Sequence, residues 1–118
     1  MTVKENLKSD IGGFIILLRQ HAELRYRKNG SEYESRRRVA VDGVVQAISR
    51  ATNVILTPDY DAMPVEDLPD AELPSVRRLV KRTIANQRKR LESMPAQSME
   101  AETLRDCIRR WERALASM

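Results

Sequence analysis

The 118-residue chain has few aromatic residues and few glycines. Phe, Trp and Tyr together supply only five residues and glycine four, although 42% of the chain is hydrophobic. A core must therefore be built from aliphatic side chains and methionine. Strands favour aromatic and β-branched residues, whereas the abundant Arg, Glu, Ala and Leu favour helices. We therefore predict an all-α fold, with residues 1–118 forming a single domain that is large enough to bury a core.

Cysteine and histidine are nearly absent. The chain has one cysteine, Cys107, and one histidine, His21. A single thiol cannot form an intramolecular disulfide, and these two residues cannot supply the four ligands of a structural zinc site. The sequence therefore predicts no metal and no cofactor, and a single cysteine is typical of a reducing compartment. We interpret Cys107, beside the apolar stripe of its helix, as a small core residue.

Catalytic motifs are also missing from the sequence. There is no Gly-rich phosphate-binding loop, no G-x-S-x-G and no H-E-x-x-H. His21 has no Cys, Ser or acidic residue at a known catalytic spacing, and the acidic residues after Thr57 lack the spacing and central glycine of an EF-hand. We therefore predict that the protein is not an enzyme and has no catalytic residues.

Long hydrophobic runs are limited to residues 11–18, IGGFIILL. Eight residues are too few for a transmembrane helix, which needs about 20. The opening residues, MTVKEN, lack the basic region of a signal peptide. The expected location is the cytoplasm, with no membrane partner.

Hydrophobic periodicity predicts two helices in the first half of the chain. The first is followed by Asn29-Gly30, and the second begins at the Ser31 and Glu34 capping-box pair and runs to about Val54. Within it, Asp42-Gly43 lies between valine-rich flanks and is also typical of a β-hairpin. The sequence alone leaves open whether residues 36–48 form a helix or a hairpin. The apolar stripe of the first helix consists of Leu7, Ile11, Phe14, Ile15, Leu18 and Ala22.

The second half of the chain predicts a long loop followed by two helices. Residues 57–74 contain four prolines and six acidic residues without a basic one, so we expect a Pro-rich acidic loop whose carboxylates lie against basic side chains of this protein or face a basic partner. Ser75 is expected to cap a third helix that runs to about Ser93. Ser98 is expected to cap the fourth, whose stripe is Leu104, Ile108, Trp111 and Leu115.

The apolar run of the first helix is a candidate interface. Residues 14–18 are apolar at five consecutive positions, so this helix is apolar on every side. It is either the central helix of a monomeric bundle or a surface that a second chain covers. We favour an interface in a homodimer or a hetero-complex, because a few packed apolar residues dominate such contacts. Its predicted anchors are Ile11, Phe14, Ile15 and Leu18.

Basic residues cluster on one side of the third helix. Such a face binds nucleic-acid phosphates, or it is solvated or neutralised by the acidic loop. Base reading is disfavoured because, apart from arginine, only Asn86 and Gln87 suit bidentate base contacts, and because the preceding loop is too long for a helix-turn-helix unit. The Arg36-Arg37-Arg38 triplet is interpreted as a solvated helix surface. The possible basic binding face consists of Arg77, Arg78, Lys81, Arg82, Arg88 and Lys89.

Two stretches, IGGFIILLRQHAEL and SVRRLVKRTIANQRKRLESM, carry a resemblance to a known family. In these stretches, and in its short, basic and helical character, the chain resembles the small bacterial anti-activators that sequester LuxR-type quorum-sensing transcription factors. The resemblance implies that the protein binds a transcription regulator and blocks its dimerisation or its DNA binding. It assigns no role to an individual residue.

These observations together predict a non-catalytic regulatory protein that acts by protein-protein interaction. We expect a homodimer whose partner is a transcription factor, with the charged helices orienting that partner. The alternative function is nucleic-acid binding through the basic face of residues 75–93.

Overall fold

The computed structural model describes the backbone of residues 30–118 and the side chains of residues 33–118. The regular elements in this range are all helical and include no strand, which confirms the all-α class for the described part of the chain. They are the α-helices α1 (Gly30–Thr52), α2 (Leu73–Glu92) and α3 (Met99–Ala116) and a 3-10 helix at Val65–Asp67. The first predicted helix lies outside the described residues, together with the proposed anchors Ile11, Phe14, Ile15 and Leu18.

Helix α1 continues through Asp42-Gly43, so the hairpin alternative for residues 36–48 is wrong. Val41, Val44, Val45 and Ile48 are at most 2% exposed. Their spacing of three and four places them on one face of a helix, whereas a strand would separate them onto two faces. The helix ends at Thr52 rather than Val54, because Asn53 adopts a left-handed conformation with φ of 59°.

The segment between α1 and α2 differs from the predicted long loop. Its residues 65–67 form the 3-10 helix, and most of its apolar side chains are buried, although prolines and acidic residues lie between them. These side chains extend the hydrophobic core instead of leaving the segment on the surface. The buried residues are Val54, Leu56, Ala62, Met63, Val65, Leu68 and Ala71.

Helix α2 begins at Leu73, two residues before the predicted cap. Pro74 occupies the first turn, where its missing N–H costs no helical hydrogen bond. Ser75 is therefore inside the helix and not its N-cap. It is buried, and its Oγ accepts a hydrogen bond from Arg78 Nη2 at 3.1 Å. A hydrogen bond from Ser75 also holds the pKa of Asp70 below its usual value.

Helix α3 begins as the sequence predicts. The Oγ of Ser98 accepts a hydrogen bond from the backbone N–H of Ala101 at 3.1 Å, and Glu100 and Glu102 lie in the first turn. Acidic residues there interact favourably with the positive end of the helix. Helix α3 packs along α2 and also contacts α1, which in turn contacts the 3-10 helix. Trp111 of α3 is fully buried in this core.

No helix in the described range of residues 30–118 has the length and apolar content that spanning a bilayer requires.

Candidate protein-binding site

Residues 53–72, between α1 and α2, contain the six acidic residues and are called the acidic segment here. Arg37 of α1 holds this segment against the helix. Its Nε donates to the carboxylate of Glu66, its Nη1 donates to the carbonyl oxygen of Tyr60 at 2.5 Å, and its Nη2 donates to that of Met63 at 2.9 Å. Its side chain is only 14% exposed. The interpretation of the Arg36-Arg37-Arg38 triplet as a solvated surface is therefore wrong for Arg37.

Neighbouring side chains strengthen this connection between α1 and the acidic segment. The hydroxyl of Tyr60 donates to Asp42 Oδ1 at 2.6 Å, and the guanidinium of Arg38 lies 4.9 Å from the centre of the Tyr60 ring. Burial opposes ionisation of Glu66, but hydrogen bonds, including those from Arg37 and Tyr33, outweigh it and hold its pKa below the usual value. Glu66 is therefore charged at neutral pH and paired.

Asp59 connects the same segment to helix α2. Arg90 donates to both of its carboxylate oxygens, at 3.2 and 2.7 Å, and Gln87 Nε2 donates to Oδ2 at 3.2 Å. Burial favours the neutral acid, but the hydrogen bonds from Arg90 and Gln87 outweigh it, so the pKa of Asp59 lies below its usual value. Asp59 is thus a charged partner of Arg90, with its side chain 10% exposed.

Three of the six acidic residues of this segment lie against basic side chains of the same protein, as one of the two alternatives predicted. Arg37 pairs with Glu66, Arg90 with Asp59, and Arg82 with Asp67. Among the described residues, no group of three or more His, Cys, Asp or Glu side chains is arranged to hold a metal ion.

Cys107 lies in the wall of an apolar cleft beside this network. The cleft has a volume of about 550 Å³ and includes Met94, Met99 and Leu104. Gln87 Nε2 lies 3.6 Å from the sulfur of Cys107. Burial raises the pKa of the thiol, the charge of Asp59 adds to this effect, and interactions with Trp111 and Gln87 offset it only in part. The thiol is therefore protonated at neutral pH.

We expect Cys107 to react with Ellman's reagent at least about tenfold more slowly than glutathione at pH 7.5, because the thiolate is the reactive species. The absorbance of the released thionitrobenzoate measures the rate. In 8 M urea the same residue should react at the rate of an unhindered thiol. A fast reaction in the folded protein would contradict the burial of the sulfur and the raised pKa of the thiol.

The predicted basic face lies on the exposed side of α2. All six of its side chains are exposed, and the opposite side of the helix contributes Val76, Leu79, Val80 and Ile84 to the core. Intramolecular contacts occupy half of the six: Arg82 pairs with Asp67, Arg88 with Glu112, and Arg78 bonds to Ser75. Within residues 33–118, the structure records no ion pair or hydrogen bond for the side chains of Arg77, Lys81 and Lys89.

The two amides that suit base contacts have structural partners instead. Gln87 is fully buried and bonds to Asp59. Asn86 Nδ2 donates to the carbonyl oxygen of Ala62 at 2.8 Å and so holds the acidic segment against α2. Direct base reading from this helix would therefore depend on its arginines and lysines.

A groove between α2 and the end of α3 brings part of the basic face next to apolar side chains. We call it the basic groove. Its volume is about 510 Å³. One wall is a stripe of α2 with spacings of four, three, one and three residues, and the other comes from the last turns of α3. The lining residues are Arg77, Lys81, Ile84, Ala85, Arg88, Glu112, Leu115, Ala116 and Met118.

The basic groove includes three of the six predicted cationic residues, namely Arg77, Lys81 and Arg88, and leaves out Arg78, Arg82 and Lys89. No pattern in the sequence marks Ala85, Glu112, Ala116 or Met118 as part of a site. The amphipathic stripes of α2 and α3 were the only sequence pattern that could have indicated the groove. They show which face of each helix is apolar but not which residues of two helices come together.

Comparisons of the chain with protein-family models, with curated proteins and with solved structures found no match.

Proposed function

We propose that this chain is a non-catalytic regulatory protein that binds another protein, and that the basic groove takes part in the contact. The observation that carries the proposal is the combination of an apolar floor with exposed cations in one groove. Ile84, Leu115 and Met118 supply the floor, and Arg77 and Lys81 supply charges that have no ion-pair partner among residues 33–118. Such a combination is typical of an interface with an apolar centre and a polar rim.

The apolar floor favours a protein partner over nucleic acid. Phosphate binding requires cations and backbone N–H groups, and gains nothing from the side chains of Leu115 or Met118. Apolar side chains of a protein partner would remove this floor from water, which contributes about 25 cal/mol for each Å² that is covered. The groove therefore gives a protein ligand a source of affinity that a phosphate backbone cannot use.

The partner that we propose is a transcription regulator whose dimerisation or DNA binding is blocked by the contact. This part of the proposal rests on the resemblance to anti-activators of LuxR-type regulators. Because such a regulator acts in the cytoplasm, we propose that this protein acts there too. Self-association through Ile11, Phe14, Ile15 and Leu18 belongs to the same proposal and rests on the apolar pattern of that segment. The basic groove is a separate surface, supported by the described structure.

A matched pair of variants tests the role of the groove. Ala85→Glu introduces a negative charge on an exposed groove position, and Gln46→Glu introduces the same charge on the exposed side of α1. Alanine, glutamine and glutamate all favour helices, so neither substitution should unfold the protein. We expect Ala85→Glu to lower the retained amount of a nuclease-resistant protein partner at least about tenfold, because a carboxylate beside Lys81 and Arg88 would neutralise groove cations and would have to be desolvated in the interface.

The measurement is a tagged capture from nuclease-treated lysate of the source organism, quantified by mass spectrometry. Wild-type protein and Gln46→Glu should retain the same partner within about twofold. A transcription regulator in that fraction would support the anti-activator function. Equal retention by both variants would contradict the role of the groove, and the loss of every protein from the wild-type sample after nuclease treatment would contradict the function itself.

Nucleic-acid binding through residues 75–93 is the second candidate. The observation that favours it is the exposure of all six cations on one side of α2. If this function holds, affinity for a labelled duplex should fall by orders of magnitude between 50 and 200 mM salt, because phosphate contacts release counterions. Affinity that changes little over this range would argue against it.

A further inference from the structure

We propose that the basic groove is the binding site of an acidic amphipathic α-helix contributed by the partner protein. This inference rests on the proposed function and specifies the chemistry of the partner. The occupant would lie along α2 and α3 as a third helix, with its apolar stripe on the floor of the groove and its acidic side chains beside Arg77 and Lys81.

The shape of the groove matches an α-helix. The residues that α2 contributes run from Arg77 to Arg88 along a single stripe. From the first to the last of these twelve residues the helix rises by about 16 Å, which is the length of three turns of a ligand helix. The end of α3, from Glu112 to Ala116, forms the opposite wall together with Met118. Two helices packed side by side leave a valley parallel to their axes, and a third helix fits into such a valley with its apolar residues spaced by three and four.

The distribution of charge around the groove favours an acidic ligand. Three cations and one carboxylate line it, and that carboxylate, Glu112, already pairs with Arg88 at 2.7 Å. Arg77 and Lys81 remain without an ion-pair partner among residues 33–118. They are one helical turn apart on the exposed rim and would meet acidic residues that are also one turn apart on the ligand. A basic ligand helix would be repelled at the same positions.

The floor of the groove is apolar and has room for ligand side chains. Ile84 is 5% exposed, and Leu115 and Met118 are partly buried against the core, with Ala85 and Ala116 beside them. The two small alanines leave room for a ligand side chain to approach the helix backbones. Methionine adapts its shape to different apolar partners. The floor should therefore accept leucine-sized anchors, while the rim charges select the sign of the ligand and speed its encounter.

A designed peptide tests this inference directly. The probe is an 18-residue, fluorescein-labelled helix with leucines at spacings of three and four and glutamates on both sides of that stripe. Binding to the full chain is measured by fluorescence anisotropy. The test variant is Lys81→Glu, and the control is Lys89→Glu, which makes the same charge change on the same exposed face of α2 but outside the groove.

We expect Lys81→Glu to weaken peptide binding at least about fivefold and Lys89→Glu to change it by less than about twofold. A second peptide with lysines in place of the glutamates should not bind wild-type protein, and should bind Lys81→Glu better than it binds wild type. This exchange of preference would show that the charge at position 81 touches the ligand. Far-UV circular dichroism of both variants checks that the helices remain intact.

Several outcomes would overturn the inference. If both variants weaken binding equally, the peptide responds to the whole charged face and not to the groove. If the lysine peptide binds as well as the glutamate peptide, the groove does not select acidic ligands. No binding of the glutamate peptide would also exclude this occupant. In each case a protein partner retained by the wild type after nuclease treatment would leave the proposed function standing, so the two failures can be distinguished.

Discussion

Arg37→Met should lower the free energy of unfolding by about 3 kcal/mol, the cost of removing one partner from a largely buried ion pair. Methionine retains most of the apolar stem but none of the five donor hydrogens. The carboxylate of Glu66 would lose its charged partner, and the carbonyl oxygens of Tyr60 and Met63 would each lose a donor. Because these acceptors lie in the segment between α1 and α2, that segment should become the least stable part of the described fold.

The measurement is urea unfolding followed by circular dichroism at 222 nm. Arg50→Met is the matched control, since Arg50 is an exposed cation in the last turn of α1, and its replacement should cost less than about 1 kcal/mol. Arg37→Lys should lie between wild type and Arg37→Met, because lysine keeps the charge but not the planar fork of donors. Equal stability of Arg37→Met and Arg50→Met would show that the contacts of Arg37 contribute nothing to the fold.

The position of Arg37 explains which parts of the fold were predictable. Helices α1, α2 and α3 follow from periodicity, because residues three and four apart in sequence settle which face of each helix is apolar. The packing of the segment between α1 and α2 depends on partners 23 to 31 residues away, including Arg37, Asn86 and Arg90. Local patterns contain no information on such pairs, so prolines and carboxylates predicted only an acidic loop.

The N-cap positions illustrate the same distinction on a smaller scale. Ser98 was predicted correctly because it is followed by Glu100 and Glu102 and preceded by no competing start signal. Ser75 was predicted wrongly because Pro74 can occupy the first turn of a helix as well as precede one. The choice depends on whether Leu73 packs against the core, which it does. Tertiary packing, and not the capping residue, decides where α2 begins.

The candidate site was predictable only in part, for a similar reason. Exposed cations on α2 follow from its 3.6-residue period, and this identifies Arg77, Lys81 and Arg88. The opposite wall of the groove comes from α3, and the register between the two helices depends on how their side chains interlock. Leu115 and Met118 therefore gain significance for binding only once that register is known.

The ion pairs of the acidic segment also determine which cations remain available for a partner. Three of its six carboxylates are paired with Arg37, Arg82 and Arg90, of which only Arg82 belongs to the predicted basic face. The segment carries six negative charges but leaves Arg77 and Lys81 without an ion pair among residues 33–118. The acidic segment thus does not neutralise all the cations of the basic groove. Binding of an acidic ligand requires such unpaired cations.

Trp111→Ala is expected to cost about 4 kcal/mol of unfolding free energy. Trp111 is the largest fully buried side chain in the described part of the chain, and its helix packs against both α2 and α1. Alanine would leave a cavity that these three helices cannot fill without changing their register. The loss is measured by chemical denaturation followed by circular dichroism at 222 nm. Tryptophan fluorescence cannot be used, because the substitution removes the only tryptophan.

Trp111→Phe provides the matched control, because phenylalanine retains a ring in the same position. The indole N–H of Trp111 has no strong hydrogen-bond acceptor among residues 33–118, its one recorded interaction being with the sulfur of Cys107, so this substitution leaves no buried oxygen or nitrogen newly unpaired. We expect a cost of about 1.5 kcal/mol, less than half that of the alanine variant. Similar losses for Phe and Ala would contradict the role of ring volume in stabilising the contact of α3 with α1 and α2.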